Sequence, residues 1–178
     1  MRRLVKLSII LPAVLGIIVS SFIFQRILER YRTKPAADRV AASGSSLPRG
    51  TMINLHTNHD EYENVTKGKV LLVFMTTDCD ACKKEVSNIS QAIPSLASKV
   101  RIYGVCIEDR DRVIPFAEEN HIDFPVLLDH GGWILARLGF RFMPTKVLLE
   151  NGIVTKIWYG SSPSKAALIK DVGEVETK

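Results

Sequence analysis

The feature that most constrains the fold is an apolar strand that leads directly into a helix, with two cysteines at the junction. Residues 69–75, KVLLVFM, form a short apolar run after the turn-forming pair Lys67-Gly68. Such a run is typical of a strand buried on both faces of a sheet. From Cys79 onward, apolar residues recur at intervals of three and four, which predicts an amphipathic helix. These residues are Val86, Ile89, Ile93 and Leu96. We expect Pro94 to end or kink this helix.

The rest of the domain alternates between strand and helix patterns. The pair Asn151-Gly152 lies between two β-rich runs, which is typical of a tight hairpin. Successive βα units followed by an antiparallel hairpin predict an α/β fold, with a central mixed sheet flanked by helices. The predicted strands cover residues 100–107, 124–128, 145–150 and 153–159, and the predicted helices cover residues 111–120, 132–138 and 164–172.

The position of Cys79 and Cys82 suggests redox chemistry. Backbone N–H groups at a helix N-terminus are unpaired, and together with the helix dipole they stabilise a thiolate. Two intervening residues place the second sulfur in the first helical turn, within bridging distance. Cys79 would then be the exposed nucleophile and Cys82 the deeper, resolving thiol. The third cysteine, Cys106, falls at the end of a predicted strand, where cysteine usually acts as a small buried hydrophobe.

Four stretches of the sequence together resemble a known family. They are KVLLVF, CDACKKE, FPVLLD and FMPTKVLLENGIV, the last of which continues to a Tyr-Gly pair. A Cys-x-x-Cys near a βαβ pattern indicates a thioredoxin-like redox motif. Over residues 47–172 the chain resembles membrane-anchored thiol–disulfide oxidoreductases of the TlpA/ResA type. The resemblance implies a thioredoxin-like fold, with no cofactor and no bound metal.

The resemblance also implies roles for two further residues. Pro144 matches the cis-proline that faces the disulfide in this family. Glu85 matches an acidic residue near the active site, and it could relay protons to or from the deeper thiol. The alternative for Glu85 is an exposed position on the helix, paired with a lysine.

The sequence departs from the family pattern next to Cys79. Asp78 stands where the family commonly has tryptophan, and the dipeptide between the cysteines is Asp80-Ala81, without the frequent proline. Asp78 is a candidate N-cap for the helix. Both carboxylates would destabilise a thiolate at Cys79, which makes the disulfide harder to reduce. We therefore predict a reductant of protein disulfides or an isomerase, rather than a strong oxidant.

Two other functions remain as alternatives. A zinc site needs about four ligands, and this chain offers one Cys-x-x-Cys, with His56 and His59 lying ahead of the first predicted strand. A thiol peroxidase would share the fold, and Thr76 lies three residues before Cys79, as in peroxiredoxins. However, Leu72 occupies the position where that family has proline.

The N-terminal segment predicts a membrane anchor. Residues 7–24 are uncharged and eighteen in number, and as a helix they would span about 27 Å, close to the apolar thickness of a bilayer. A cleaved signal peptide is the alternative, but Val19-Ser20-Ser21 is a poor cleavage site and the apolar run continues beyond it. We predict an anchor with basic flanks over residues 1–32, a flexible linker over 33–46 and the thioredoxin-like domain over 47–178.

The charge distribution argues against a nucleic-acid partner. Residues 1–46 carry eight Lys/Arg and two Asp/Glu, so residues 47–178 sum to −1 despite a net charge of +5 for the chain. A nucleic-acid-binding domain needs a basic face. The expected partners are a disulfide-containing protein substrate, a separate thiol electron donor and the membrane. Positive charge flanks both ends of the anchor, so the resemblance rather than the charge places the domain on the extracytoplasmic, periplasmic side.

Overall fold

The computed structural model describes residues 43–173. The predicted anchor over residues 1–32 and most of the predicted linker lie outside this range. Within residues 43–173, no helix is both long enough and apolar enough to cross a membrane.

The described residues form six strands and five α-helices. The strands are β1 (Ile53–Asn54), β2 (Lys69–Met75), β3 (Arg101–Cys106), β4 (Val126–Leu128), β5 (Thr145–Glu150) and β6 (Ile153–Tyr159). The helices are α1 (Tyr62–Val65), α2 (Asp80–Leu96), α3 (Arg110–Glu119), α4 (Trp133–Leu138) and α5 (Lys165–Gly173). A short 3-10 turn, His130–Gly132, precedes α4.

All six strands belong to one mixed sheet in the order β1-β4-β3-β2-β5-β6. The pairs β2–β3 and β3–β4 are parallel, whereas β1–β4, β2–β5 and β5–β6 are antiparallel. The predicted central mixed sheet with flanking helices is therefore confirmed. Strand β2 lies in the interior of the sheet, so the segment that follows its carboxyl end emerges at the middle of one sheet edge.

Alternate side chains of β2 pack into two separate cores. Leu71, Val73 and Met75 face one core, which also contains buried residues of α2, α3 and α5. Val70, Leu72 and Phe74 face the other, with buried residues of α1 and α4. Because both faces of β2 are covered, its amino-acid sequence is a continuous apolar run, which is typical of a strand buried on both faces of a sheet.

The structure differs from the sequence-based prediction at four elements. Helix α2 continues past Pro94 to Leu96, and the N–H of Ala97 still donates to the carbonyl of Ile93 at 2.8 Å. Pro94 therefore does not end the helix. The strand expected over residues 124–128 is limited to Val126–Leu128. Elements β1 and α1, of two and four residues, are too short to produce a detectable period.

Residues 43–47 pair with the edge strand β6. The N–H of Gly44 donates to the carbonyl of Val154 at 2.7 Å, and the N–H of Leu47 donates to the carbonyl of Gly152 at 2.8 Å. An edge strand presents unpaired backbone groups, and this segment satisfies part of them. The last four residues of the predicted linker range are thus bonded to the sheet.

Candidate active site

The two cysteines of the motif form a disulfide at the N-terminus of α2. Cys79 is the N-cap residue, with an extended backbone, and its sulfur accepts the N–H of Cys82 at 3.1 Å. Cys79 is partly exposed, whereas Cys82 is completely buried in the first helical turn. This arrangement agrees with the prediction of an accessible first sulfur and a deeper second one. It follows from the extended cap geometry, which turns the Cys79 sulfur back over the unpaired N–H groups of the helix.

The Met143–Pro144 peptide bond is cis, which confirms the expectation for Pro144. The carbonyl oxygen of Met143 lies 3.9 Å from the sulfur of Cys79, so this loop faces the disulfide. Two hydrogen bonds hold the loop in place. The hydroxyl of Thr145 donates to the carbonyl of Phe142 at 2.5 Å, and the N–H of Gly160 donates to the carbonyl of Pro144 at 2.8 Å.

Aromatic side chains extend from the core to the rim of the site. Phe74 and Phe140 are buried, with ring centroids 5.6 Å apart. Tyr159 contacts Phe140 and also Phe142, whose side chain is 67% exposed. These aromatic residues therefore belong to the core and to the rim of the site.

Glu85 is buried, with 0% of its surface exposed, so the alternative of an exposed position is wrong. One carboxylate oxygen, Oε1, lies 2.9 Å from the Lys146 ammonium and accepts the Ser162 hydroxyl at 3.1 Å. The other, Oε2, accepts the N–H of Ser162 at 2.5 Å. The pairing with a lysine exists, but it lies inside the domain. It connects α2 to β5 and to the loop after β6.

The two acidic neighbours of Cys79 each have a cationic partner. Asp78 forms an ion pair with Arg112 at the start of α3, and Asp80 forms one with Lys83 at 3.4 Å. The prediction that Asp78 caps α2 is wrong, because Cys79 occupies that position. Exposed ion pairs are screened by water. Even so, these cations offset part of the repulsion that the two carboxylates alone would exert on a thiolate at Cys79.

A second carboxylate, Glu108, follows β3 beside the active-site loop. Its Oε1 accepts the backbone N–H of Thr77 at 2.8 Å, while its buried Oε2 has no hydrogen-bond partner among the described residues. The third cysteine, Cys106, is completely buried and unpaired. Burial, followed by the charge of Glu108, raises the pKa of the Cys106 thiol. Cys106 thus has the environment of a packing residue.

The histidines that were weighed as metal ligands lie on the surface of the domain. His56 and His59 are exposed and lie in the loop after β1. Within residues 43–173, the structure brings together no group of three or more His, Cys, Asp or Glu side chains that could hold a metal ion.

Sequence reasoning missed Lys146 and Ser162. Lys146 could have been identified because it interrupts the otherwise apolar run of β5, and a charged residue is unusual in a buried strand. Ser162 lies in the serine-rich loop 161–164 and gave no comparable signal.

The fold and the site together define a thioredoxin-like domain, in which a Cys-x-x-Cys disulfide at a helix N-terminus faces a cis-proline. The AhpC/TSA family profile matches residues 44–157, and the chain belongs to this family.

The chain is also similar to named relatives. It is 26% identical over 110 residues to the thiol-disulfide oxidoreductase ResA of Bacillus thuringiensis subsp. konkukian (strain 97-27), covering 61% of this chain and 64% of that relative. It is 25% identical to the thioredoxin-like protein YneN of Bacillus subtilis (strain 168), covering 76% of this chain and 82% of the relative. The resemblance inferred from the sequence motifs is confirmed. The match to ResA spans slightly less than two thirds of that protein.

Solved structures show the same fold. StoA from Bacillus subtilis superposes with a TM-score of 0.60 at 25% identity, covering 71% of this chain and 98% of that one. A putative thiol:disulfide interchange protein DsbE from Chlorobium tepidum superposes with a TM-score of 0.66 at 19% identity, covering 75% and 96% of the two chains. The second likeness concerns the fold alone.

Proposed function

We propose that this chain is a membrane-tethered thiol–disulfide oxidoreductase that reduces disulfides of protein substrates in an extracytoplasmic compartment. The observation that carries the proposal is the Cys79–Cys82 disulfide at the N-terminus of α2, with the Met143 carbonyl and cis-Pro144 beside the more accessible sulfur. The relatives named ResA support the chemistry. The apolar run of residues 7–24 supports the tether.

In the reduced protein, the Cys79 thiolate attacks a substrate disulfide. A mixed disulfide forms between Cys79 and one substrate sulfur, and the other substrate sulfur leaves as a thiolate. Cys82 then loses its proton and attacks the Cys79 sulfur, so that the Cys79–Cys82 disulfide forms and the second substrate thiolate leaves. Two electrons pass to the substrate. A separate thiol donor restores the dithiol by the reverse exchange.

Glu85 is the group proposed to receive the proton of Cys82. Both residues lie on the buried face of α2, three positions apart. Side chains at this spacing have Cβ atoms about 5–6 Å apart. A general base near a buried thiol is required because that thiol cannot pass its proton directly to water.

The surroundings of Cys79 support the proposed direction of electron flow. Asp78 and Asp80 add negative charge beside the sulfur, and their partners Arg112 and Lys83 offset part of it. The remaining repulsion disfavours the thiolate, which favours the disulfide. A protein with this balance gives electrons away when a donor supplies them.

The deciding measurement is the reduction potential of the full-length chain in detergent, obtained by counting free thiols in defined thiol–disulfide buffers. We expect a two-electron transition at about −250 mV or lower. Cys79→Ala should abolish disulfide exchange, while Cys106→Ala should leave the potential unchanged. A potential near about −120 mV would make the protein an oxidant. Absence of any reversible couple would instead favour the peroxidase or metal-site alternatives.

The tether and its orientation need a separate test. Membrane fractions of cells that express the full-length chain should retain it after washing with high salt, and external protease should digest the domain once the outer permeability barrier is removed. Recovery in the soluble fraction would contradict the anchor, and protection from the protease would contradict the extracytoplasmic location.

A further inference from the structure

The ion pair between Lys146 and Glu85 has no role in the reaction as described so far. The side chains of Lys146 and Glu85 are 2% and 1% exposed, and their charged atoms lie 2.9 Å apart. The Lys146 ammonium also donates to the carbonyl of Gly160 at 2.7 Å. The lysine is therefore fully engaged inside the domain, on the α2 side of the sheet.

Packing alone does not explain a lysine at this position. Taking two charges out of water costs several kcal/mol for each ion, and an apolar pair of similar volume is often at least as stable. The neighbouring positions of β5 carry such residues, namely Val147, Leu148 and Leu149. A buried ion pair among these apolar residues indicates that the charge of Lys146 has a function.

That function follows from the location of Glu85, one helical turn beyond Cys82. A carboxyl group buried without a counter-ion becomes neutral rather than remaining charged. A neutral carboxyl group cannot accept a proton from a thiol. The ammonium of Lys146 places the opposite charge 2.9 Å from the Glu85 carboxylate.

The remaining groups around Glu85 orient it. Ser162 donates to both carboxylate oxygens, through its N–H and its hydroxyl. The elements packed against α2 carry other charged residues. Lys165 and Lys170 of α5 are exposed, and Asp171 is half-buried. On β6, Lys156 lies over the ring of Trp158.

We propose that Lys146 is a positioning residue for the resolving step, which keeps Glu85 ionised so that it can take the proton of Cys82. The inference rests on the proposed function. When Cys82 attacks the mixed disulfide, its proton passes to the Glu85 carboxylate. The attack forms the Cys79–Cys82 bond and expels the substrate thiolate. Lys146 stays protonated throughout.

The experiment separates attack from resolution with the aromatic disulfide DTNB. The reduced full-length chain, in detergent and in a Cys106→Ala background, is mixed with DTNB in a stopped-flow instrument between pH 5 and 9. Attack by Cys79 releases the first coloured thiolate, and attack by Cys82 releases the second. Lys156→Met, which removes a lysine from the neighbouring strand, is the matched control.

Lys146→Met should slow the second release at pH 7 by about tenfold or more, within the range for loss of a general base. The pH at which the second release reaches half of its maximal rate should increase, while the rate of the first release changes by less than about twofold. Glu85→Gln should slow the second release as well, and adding Lys146→Met to it should cause no further loss. Lys156→Met should behave as the parent protein does.

Lys146→Gln gives a second test that leaves a polar group at the site, in case the methionine variant does not fold. It should show the same slow second release. If either folded variant resolves at the parental rate and pH while Glu85→Gln is slow, Lys146 is a structural residue and the inference is wrong. If the parent protein itself releases only one thiolate, the proposed function fails instead.

Discussion

The buried thiol of Cys106 should make the domain progressively less stable above pH 9. Burial, with a smaller contribution from Glu108, raises the pKa of this thiol above its ordinary value of 9.0. In the unfolded chain the thiol ionises near that value, whereas in the folded domain it keeps its proton. Above pH 9 the unfolded state therefore binds fewer protons than the native state, and stability falls as the pH rises. Below pH 9 the contribution of the protonated Cys106 thiol to the stability of the domain is fully present.

The magnitude follows from the linkage relation. For a group that stays protonated only in the native state, each pH unit above its ordinary pKa lowers the free energy of unfolding by about 1.4 kcal/mol. From pH 8 to pH 10.5, we expect the free energy of unfolding to lose about 2 kcal/mol because of Cys106. Lysine and tyrosine residues titrate in the same range, so the effect must be isolated by difference.

The assay compares the variant Cys79→Ala/Cys82→Ala with the same variant carrying Cys106→Ala. This background removes the disulfide, so that a thiolate cannot scramble it at high pH. Urea denaturation is followed at several pH values from 7.5 to 10.5. The cavity left by the alanine changes the free energy of unfolding by the same amount at every pH. Only the thiol makes the difference between the two variants depend on pH. A difference that stays constant across this range would refute the reasoning, since it would show that Cys106 ionises equally in both states.

Two further predictions concern buried carboxylates. Lys146→Met should lower the free energy of unfolding by about 3–5 kcal/mol, because Glu85 loses its counter-ion and folding must then either protonate the carboxylate or bury its charge unpaired. In urea denaturation, the double variant with Glu85→Gln should lose less than the sum of the two single variants, and additive losses would contradict this. Asp129, which is buried, accepts the N–H groups of Ile134 and Leu135 at 3.1 and 2.9 Å. Asp129→Ala should therefore lower the free energy of unfolding by about 2–4 kcal/mol, and Asp129→Asn clearly less, as measured by the same method. Equal losses would contradict the role of the Asp129 side chain as the acceptor of these two N–H groups.

Local patterns were sufficient to predict the hairpin and the central strand. Strands β5 and β6 have the predicted bounds because Asn151 and Gly152 adopt positive φ values of 50° and 77°, which suit a tight turn that few other residue pairs allow. Strand β2 was predictable because it is covered on both faces. The position of Cys79 and Cys82 followed from the switch between strand and helix patterns.

The environment of the site was less predictable, since it depends on residues that are distant in the sequence. Asp78 was a reasonable cap, but Arg112 of α3 pairs with it and Cys79 takes the cap position. The local sequence allowed both an exposed and a buried position for Glu85, because its partner Lys146 lies on β5. Contacts between separate elements determine the environment of such residues, and the periodicity of the sequence within one element does not predict those contacts.

A single strand register brings the redox site and its buried charge together. Strands β2 and β5 are antiparallel, with Phe74 opposite Thr145 and Val73 opposite Lys146. The amino end of β5 therefore lies beside the carboxyl end of β2, and Pro144 must face the segment that leads to Cys79. Two residues after Pro144, Lys146 of β5 points to the α2 side. A slip of one residue would turn it to the opposite face, away from Glu85. Asn151 in the hairpin turn exchanges two hydrogen bonds with Gly68, which directly precedes β2. These bonds help to prevent that slip, so the turn contributes to the chemistry at the other end of the strand.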